Sequence, residues 1–319
     1  MESSNKTSVT NFILLGLSDV PHLQAICFLL FLLIYTITLL GNFLIIVVVG
    51  FAKLCSPMYF FLSNLSCVDI CLSSTVVPRI LVSTLSHDTS ISFLGCAAQE
   101  YFLAALGATE CMILAIMAYD RYTAICHPLH YNTIMNKTFC IYLTLGSWTV
   151  SFLNSVIHAF LTFKLPFCRS NKINHFFCEM PPLFRLSCKE TLFNEILMYI
   201  AAGLMALSSF ILTLISYIHI ISSILKIKST RRREKTFYTC ASHLIVVMLF
   251  YGNILIVYMQ PHSTFFPKRD RAVSIFYTAV TPMLNPIIYS IRNQVFLGAL
   301  RKLVNKKMFL SRLLKIAIT

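Results

Sequence analysis

MAYDRYTAICHPLHY, residues 117–131, sets an acid and a base, Asp120 and Arg121, at the end of the apolar run LGATECMILAIMAY (106–119). Such a pair either marks where a helix leaves lipid or is a working part. Composition settles the surroundings first. Of 319 residues, 57% are apolar and only 12% charged, about half the charged share of a soluble domain. Mean hydropathy is +0.76. A soluble chain with this balance would lack the polar surface to cover its exterior, so the chain is expected to sit in a bilayer.

The net charge of +14 does not point to nucleic acid. The basic residues gather in short segments between apolar runs, as in KIKSTRRREK (226–235), and in the tail from Arg292. That is the pattern of loops on the cytoplasmic side of a membrane. A crossing helix needs roughly 20 mostly apolar residues. Seven candidates run at about 24–50, 57–84, 95–120, 139–163, 195–225, 237–260 and 271–291. Polar residues interrupt the sixth and seventh, which are borderline on hydropathy alone. The first lacks a charged leader and is too long for a signal-peptide core, so it is expected to stay as an anchor.

With the N-terminus outside, sixteen Lys and Arg fall on inner segments and nine on outer ones. Most of the outer charge lies in one long loop, which weighs less in orienting the chain. The sequon Asn5-Lys-Thr then lies outside, where glycosylation acts. Four of the twelve cysteines, Cys96, Cys168, Cys178 and Cys188, fall on or beside the outer face, where disulfides persist. They allow three pairings, and spacing does not choose among them. The expected division is an extracellular segment 1–23, a bundle 24–291 and a cytoplasmic tail 292–319. In the tail Phe296, Leu300, Leu303 and Val304 oppose Arg301, Lys302, Lys306 and Lys307, the pattern of an amphipathic helix on the inner leaflet.

Enzyme signatures such as HExxH, GxSxG, GxxxxGK and paired CxxC are missing, so no catalytic residue and no resident metal is expected. His175, Cys178 and Glu179 in HFFCE have metal-ligand chemistry, but Cys178 is expected to be used in a disulfide. Polar residues inside spans are costly in lipid and tend to be functional: Asn42, Asp69, Glu110 and Asn285. In span three, Leu103, Gly107, Glu110, Leu114, Met117 and Arg121 share one helix face, a stripe about 27 Å long that nearly crosses the hydrocarbon. Gluing helices together is the plainer role for such groups. Asp69 and Glu110 can face each other across two helices. Two bare carboxylates in low dielectric repel, so either one is protonated or both share a cation, with sodium the natural guest.

The motifs GN (Gly41, Asn42), PMYFFLSNLSCVD (57–69), MAYDRYTAICHPLHY, SY (Ser216, Tyr217), KTFYTCASHL (235–244) and PMLNPIIYSIRN (282–293) resemble, in order and placement, the odorant receptors, a branch of the rhodopsin-like G-protein-coupled receptors. Departures are few: Cys55 replaces a usual His, Tyr238 a usual Ser and Glu179 a usual Asp. The resemblance implies an all-α membrane protein: a seven-transmembrane helix bundle with an extracellular N-terminus and a short amphipathic eighth helix. It also implies disulfides Cys96–Cys178 and Cys168–Cys188. By similarity, Asp120 holds Arg121 at rest; on activation the inner end of span six swings out and Arg121 is released toward a G protein. Tyr217 and Tyr289 would stabilise the open form, and Asn285 with Pro286 would loosen span seven.

The family's ligand positions correspond here to Leu103, Ala104, Gly107, Ala108, Ala202, Met205, Tyr251, Ile254, Tyr258 and Thr278. No acid is among them, and amine-binding members of the wider superfamily carry Asp where Leu103 stands. Span seven has no Lys for a retinal Schiff base. The expected ligand is therefore a small, neutral, mostly apolar volatile with one hydrogen-bonding group, offered to hydroxyls of Tyr258, Tyr251 and Thr278. The implied partners are that odorant, membrane lipid and a stimulatory or olfactory heterotrimeric G protein that raises cyclic AMP at the plasma membrane. The same receptor could serve chemosensing outside the nose. The rival from another class is a channel or transporter, motivated by the acids at 69 and 110.

Overall fold

The computed structural model describes residues 10–15, 21–54, 56–86, 88–168, 170–258, 267–291, 293 and 295–305. Within these, the side chains at 21, 232, 235, 238–239, 254–258, 267–270 and 291 are outside the description. Asn5, Cys55, Arg292, Lys306 and Lys307 also lie outside it.

Among the described residues seven long helical runs form one bundle. They are Pro21–Phe51, Pro57–Ser86, Phe93–Cys126, Lys137–Phe163, Leu192–Leu225, Thr230–Tyr258, and a seventh that begins at Pro267–Ile275, passes through a π turn, Phe276–Val280, and ends in Thr281–Ile291. Among the described residues six helices are long and apolar enough to cross a membrane. In the sixth run the described side chains give a shorter apolar stretch, Cys240–Asn253, and the helix opens on the basic TRRREK. The outer faces expose Leu29, Leu40, Leu153 and Leu204 at 62 to 66%. Water would not tolerate such a belt; hydrocarbon covers it.

Local chemistry sets the ends. Ser92 caps span three by accepting from the Gly95 amide at 3.1 Å, and Asn136 caps span four by accepting from the Phe139 amide at 2.9 Å, in keeping with N-cap preference. Span four packs inward through Cys140, Thr144, Ser147, Ser151, Ser155, His158 and Thr162, its small and polar side, since lipid takes the apolar one. Gly41 is required by close approach: a Cβ there would sit 2.9 Å from the Pro286 ring. Beside it the Asn42 amide donates to the Pro282 carbonyl at 3.0 Å, so the Gly-Asn pair seats span one on span seven. Span three is packed against spans two, four, five and six.

One end of the bundle carries a cap that periodicity did not disclose. β1 (Asn11–Leu14) lies between β2 (Ser90–Ser92), antiparallel, and β3 (Lys172–Ile173), parallel. Phe12 and Leu14 are buried there with Phe167, Ile173 and Leu183, and the Phe12 ring meets Phe167 edge-on at 5.3 Å. Part of the 1–23 segment is thus structural, and the first helix starts at Pro21. Disulfides join Cys96 to Cys178 and Cys168 to Cys188, with Cα separations of 5.4 and 5.8 Å. At the opposite end a helix over 295–305 buries Phe296 and Ala299, half-buries Leu303 and leaves Val304, Arg301 and Lys302 exposed. Its first turn is capped by Asn293, which accepts from the Phe296 amide at 3.1 Å and from the Tyr59 hydroxyl at 2.9 Å.

Candidate functional site: a cavity at the disulfide end and the polar core beyond it

At the disulfide end the helices line a cavity of about 190 Å³. An apolar cavity of about 150 Å³ accommodates benzene, so this one suits a ligand of similar or slightly larger size. Span three supplies Leu103, Ala104, Gly107 and Ala108, and span five supplies Ala202 and Met205. All six are among the positions expected from sequence.

Two expected positions lie off the wall, which corrects the picture of their hydroxyls facing a ligand. Tyr251 is turned to Cys111 Sγ at 3.7 Å and packs edge-on against Phe210 and Phe250. Thr278 is fully buried and donates to the Ser274 carbonyl of its own helix at 2.6 Å. Thr278 lies within the π turn Phe276–Val280. That turn offsets the residues around it by one position from α-helical phase, and Tyr277 comes to the wall instead. Ile254 and Tyr258 have side chains outside the described residues.

The acid-free chamber is also corrected. Glu100, Glu110 and Glu179 line the cavity, with His158, Asn154 and Asn253. Glu100 lies one turn before Leu103 on the face shared by Leu103, Gly107 and Glu110; continuing that stripe toward the helix start would have found it. Glu179 accepts from the Tyr277 hydroxyl at 2.9 Å. His175 approaches Glu179 at 3.8 Å. Burial first, and then the Arg271 charge, push the His175 imidazole down to about 3, so near neutral pH this contact is not an ion pair. The loop is fixed to span three by Gln99, which accepts from the Cys178 amide at 2.9 Å while donating to the Thr75 carbonyl at 2.9 Å.

Beyond the cavity lies a fully buried polar core. The Asn285 amide donates to both oxygens of Asp69 at 3.0 Å each and also engages Glu110. Asp69 and Glu110 are close enough to act on each other electrostatically. Glu110 Oε1, Asn42 Oδ1, Asn285 Oδ1 and the Tyr289 hydroxyl have no hydrogen-bond partner among the described residues. Three of these are acceptors only, a donor set that fits a hard cation or ordered water.

Further along, His243 ties three spans together. Its Nε2 lies 3.1 Å from the Leu114 carbonyl, which only accepts, so Nε2 carries the proton and Nδ1 accepts from Tyr217 at 2.7 Å. His243 stands in KTFYTCASHL and was not singled out from sequence; a histidine in an apolar span was the available signal. At the far end Arg121 pairs with Asp120 at 3.0 Å, and Tyr131 donates to the other oxygen of Asp120 at 2.7 Å. Burial and the Asp120 charge raise the Tyr131 hydroxyl above its usual range, which keeps it a donor. Asp120 is buried and Arg121 nearly so.

Comparison with known proteins accords with this arrangement. The olfactory receptor family model matches residues 31–307. Olfactory receptor 1f45 of Rattus norvegicus is 49% identical over 305 residues, covering 95% of this chain and 97% of the relative. Olfactory receptor 5AP2 of Mus musculus is 47% identical, covering 96% of each, and olfactory receptor 1F1 of Homo sapiens is 46% identical, covering 97% and 99%. These are receptors and not enzymes, and a multi-pass helical membrane protein is what their likeness requires: the chain belongs to the olfactory receptor family of G-protein-coupled receptors.

Proposed function

We propose that this odorant receptor binds small, mostly apolar volatiles in the cavity beside Gly107 and Met205 and responds by engaging a stimulatory heterotrimeric G protein, which raises cyclic AMP. One observation carries the reading: a single helix, Phe93–Cys126, supplies the cavity wall at one end and the Asp120–Arg121 pair at the other. A ligand that favours the open bundle shifts a pre-existing equilibrium, and a hundredfold preference supplies about 2.7 kcal/mol. Arg121, released from Asp120, then faces the G protein, while Tyr217 exchanges His243 for the opened interface. Asn285 and Pro286 give span seven the slack to move, with Tyr289 following. The N-terminus lies outside the plasma membrane in this scheme, with Asn5 open to glycosylation.

Sodium, if bound, is held by Asp69 and Glu110 with the amide oxygens of Asn42 and Asn285, and it supplies charge that favours the closed form. The test is cyclic AMP in cells expressing the chain against a panel of volatiles, with Arg121→Ala as control. Responses lost in that variant at normal surface level support the reading. Ligand-evoked current that needs no G protein supports the channel alternative instead.

A further inference from the structure

Glu100 is a buried acid that the scheme above does not use. It is 2% exposed, it lines the cavity, and neither carboxylate oxygen has a hydrogen-bond partner among the described residues. The charge that acts on it most is another carboxylate, Glu179, which lines the same cavity. No Lys or Arg is on the wall among the described residues. An acid left without partners inside a protein is costly, and a ligand that brings the missing cation or donors removes that cost.

We propose that Glu100 forms a cation subsite and that the preferred ligands are small volatile amines, the ammonium group held between Glu100 and Glu179 and the hydrocarbon body lying among Leu103, Gly107, Ala202 and Met205. This deepens the odorant reading and rests on it. An ammonium has three donors and no acceptor, which matches two carboxylates on one cavity wall, one of which already accepts from Tyr277. The remaining wall is largely apolar, so the rest of the ligand is alkyl or aryl. The cavity of about 190 Å³ has room for a benzene ring with a short arm.

The experiment compares benzylamine with benzyl alcohol, and hexylamine with hexanol, on cells expressing the full chain, with surface level measured. The amines are expected to reach half-maximal cyclic AMP at lower concentration than the matching alcohols. Glu100→Gln keeps shape and removes charge; it should weaken the amines by about thirtyfold or more and leave the alcohols within a few-fold. Glu100→Asp, which retains the charge, should keep the amine preference and serves where Gln lowers surface expression. Purified receptor supplies a readout without the G protein: benzylamine should raise its melting temperature more than benzyl alcohol does, and the Gln variant should lose that difference. Alcohols active with no amine preference, or amine potency unchanged in Glu100→Gln, overturns the subsite while the odorant reading stands. Failure of every volatile to signal or to stabilise the receptor overturns both.

Discussion

Asn285 closes over Asp69: one amide nitrogen lies 3.0 Å from each carboxylate oxygen, in a core where both residues are at most 1% exposed. Removing the amide leaves a buried carboxylate without its donor, which costs about 1–3 kcal/mol. Asn285→Ala should therefore lower the melting temperature of purified receptor and its surface level in cells. Asn285→Asp should be worse, since it sets a third acid beside Asp69 and Glu110. An unchanged melting temperature in both variants would show that the pairing contributes nothing.

The Asp120–Arg121 pair is a lock only if breaking it opens the receptor. Asp120→Asn weakens the attraction to Arg121 while preserving shape. Losing about 1–2 kcal/mol of closed-state bias multiplies the open fraction by roughly 5 to 30. Ligand-free cyclic AMP, normalised to surface receptor, should rise accordingly. Tyr131→Phe removes one hydrogen bond to the same carboxylate and should raise it less. Basal signal equal to wild type in Asp120→Asn counts against the lock.

Gly107 faces open space: a Cβ built there meets nothing within 4 Å. Gly107→Val should fold normally and gain about 0.5 kcal/mol from helix propensity, because no neighbour must move. The added methyls occupy cavity volume, so larger volatiles should lose potency before smaller ones. The readout is the ratio of half-maximal concentrations across a homologous ligand series. A uniform shift at every ligand size would place the ligand elsewhere.

His175 gives the disulfide end a pH dependence. Its folded value lies near 3, below the usual 6.5 of an unfolded histidine. Between these values the unfolded chain binds the proton and the folded chain does not, so stability falls as pH drops below 6.5. The loss from this group by pH 5 is about 2 kcal/mol. A melting curve taken from pH 7 to pH 5 should fall, and His175→Gln should fall less over the same window. Equal slopes would exclude His175 as the source.

The membrane character, the seven runs and the Asp-Arg pair were legible because lipid imposes strong one-dimensional rules: long apolar runs, rare buried charge and basic loops. Thr230–Tyr258 shows the margin of that signal, since its basic first turns dilute an otherwise apolar helix. The cap strand Asn11–Leu14 was not legible, because four residues with one buried phenylalanine carry no period, and their partners lie far along the chain at 90–92 and 172–173.

Sequence by itself determined which residues had to be inside a bundle, since the cost of polar groups in hydrocarbon depends on residue type alone. Tertiary structure alone decided what each faces. A π turn in span seven brought Tyr277 to the cavity in place of Thr278, and the fold of the long loop set Glu179 on its wall where an uncharged chamber was expected. Side-chain direction depends on helical phase and on how six spans meet, and those are settled by packing between residues that are distant in the chain.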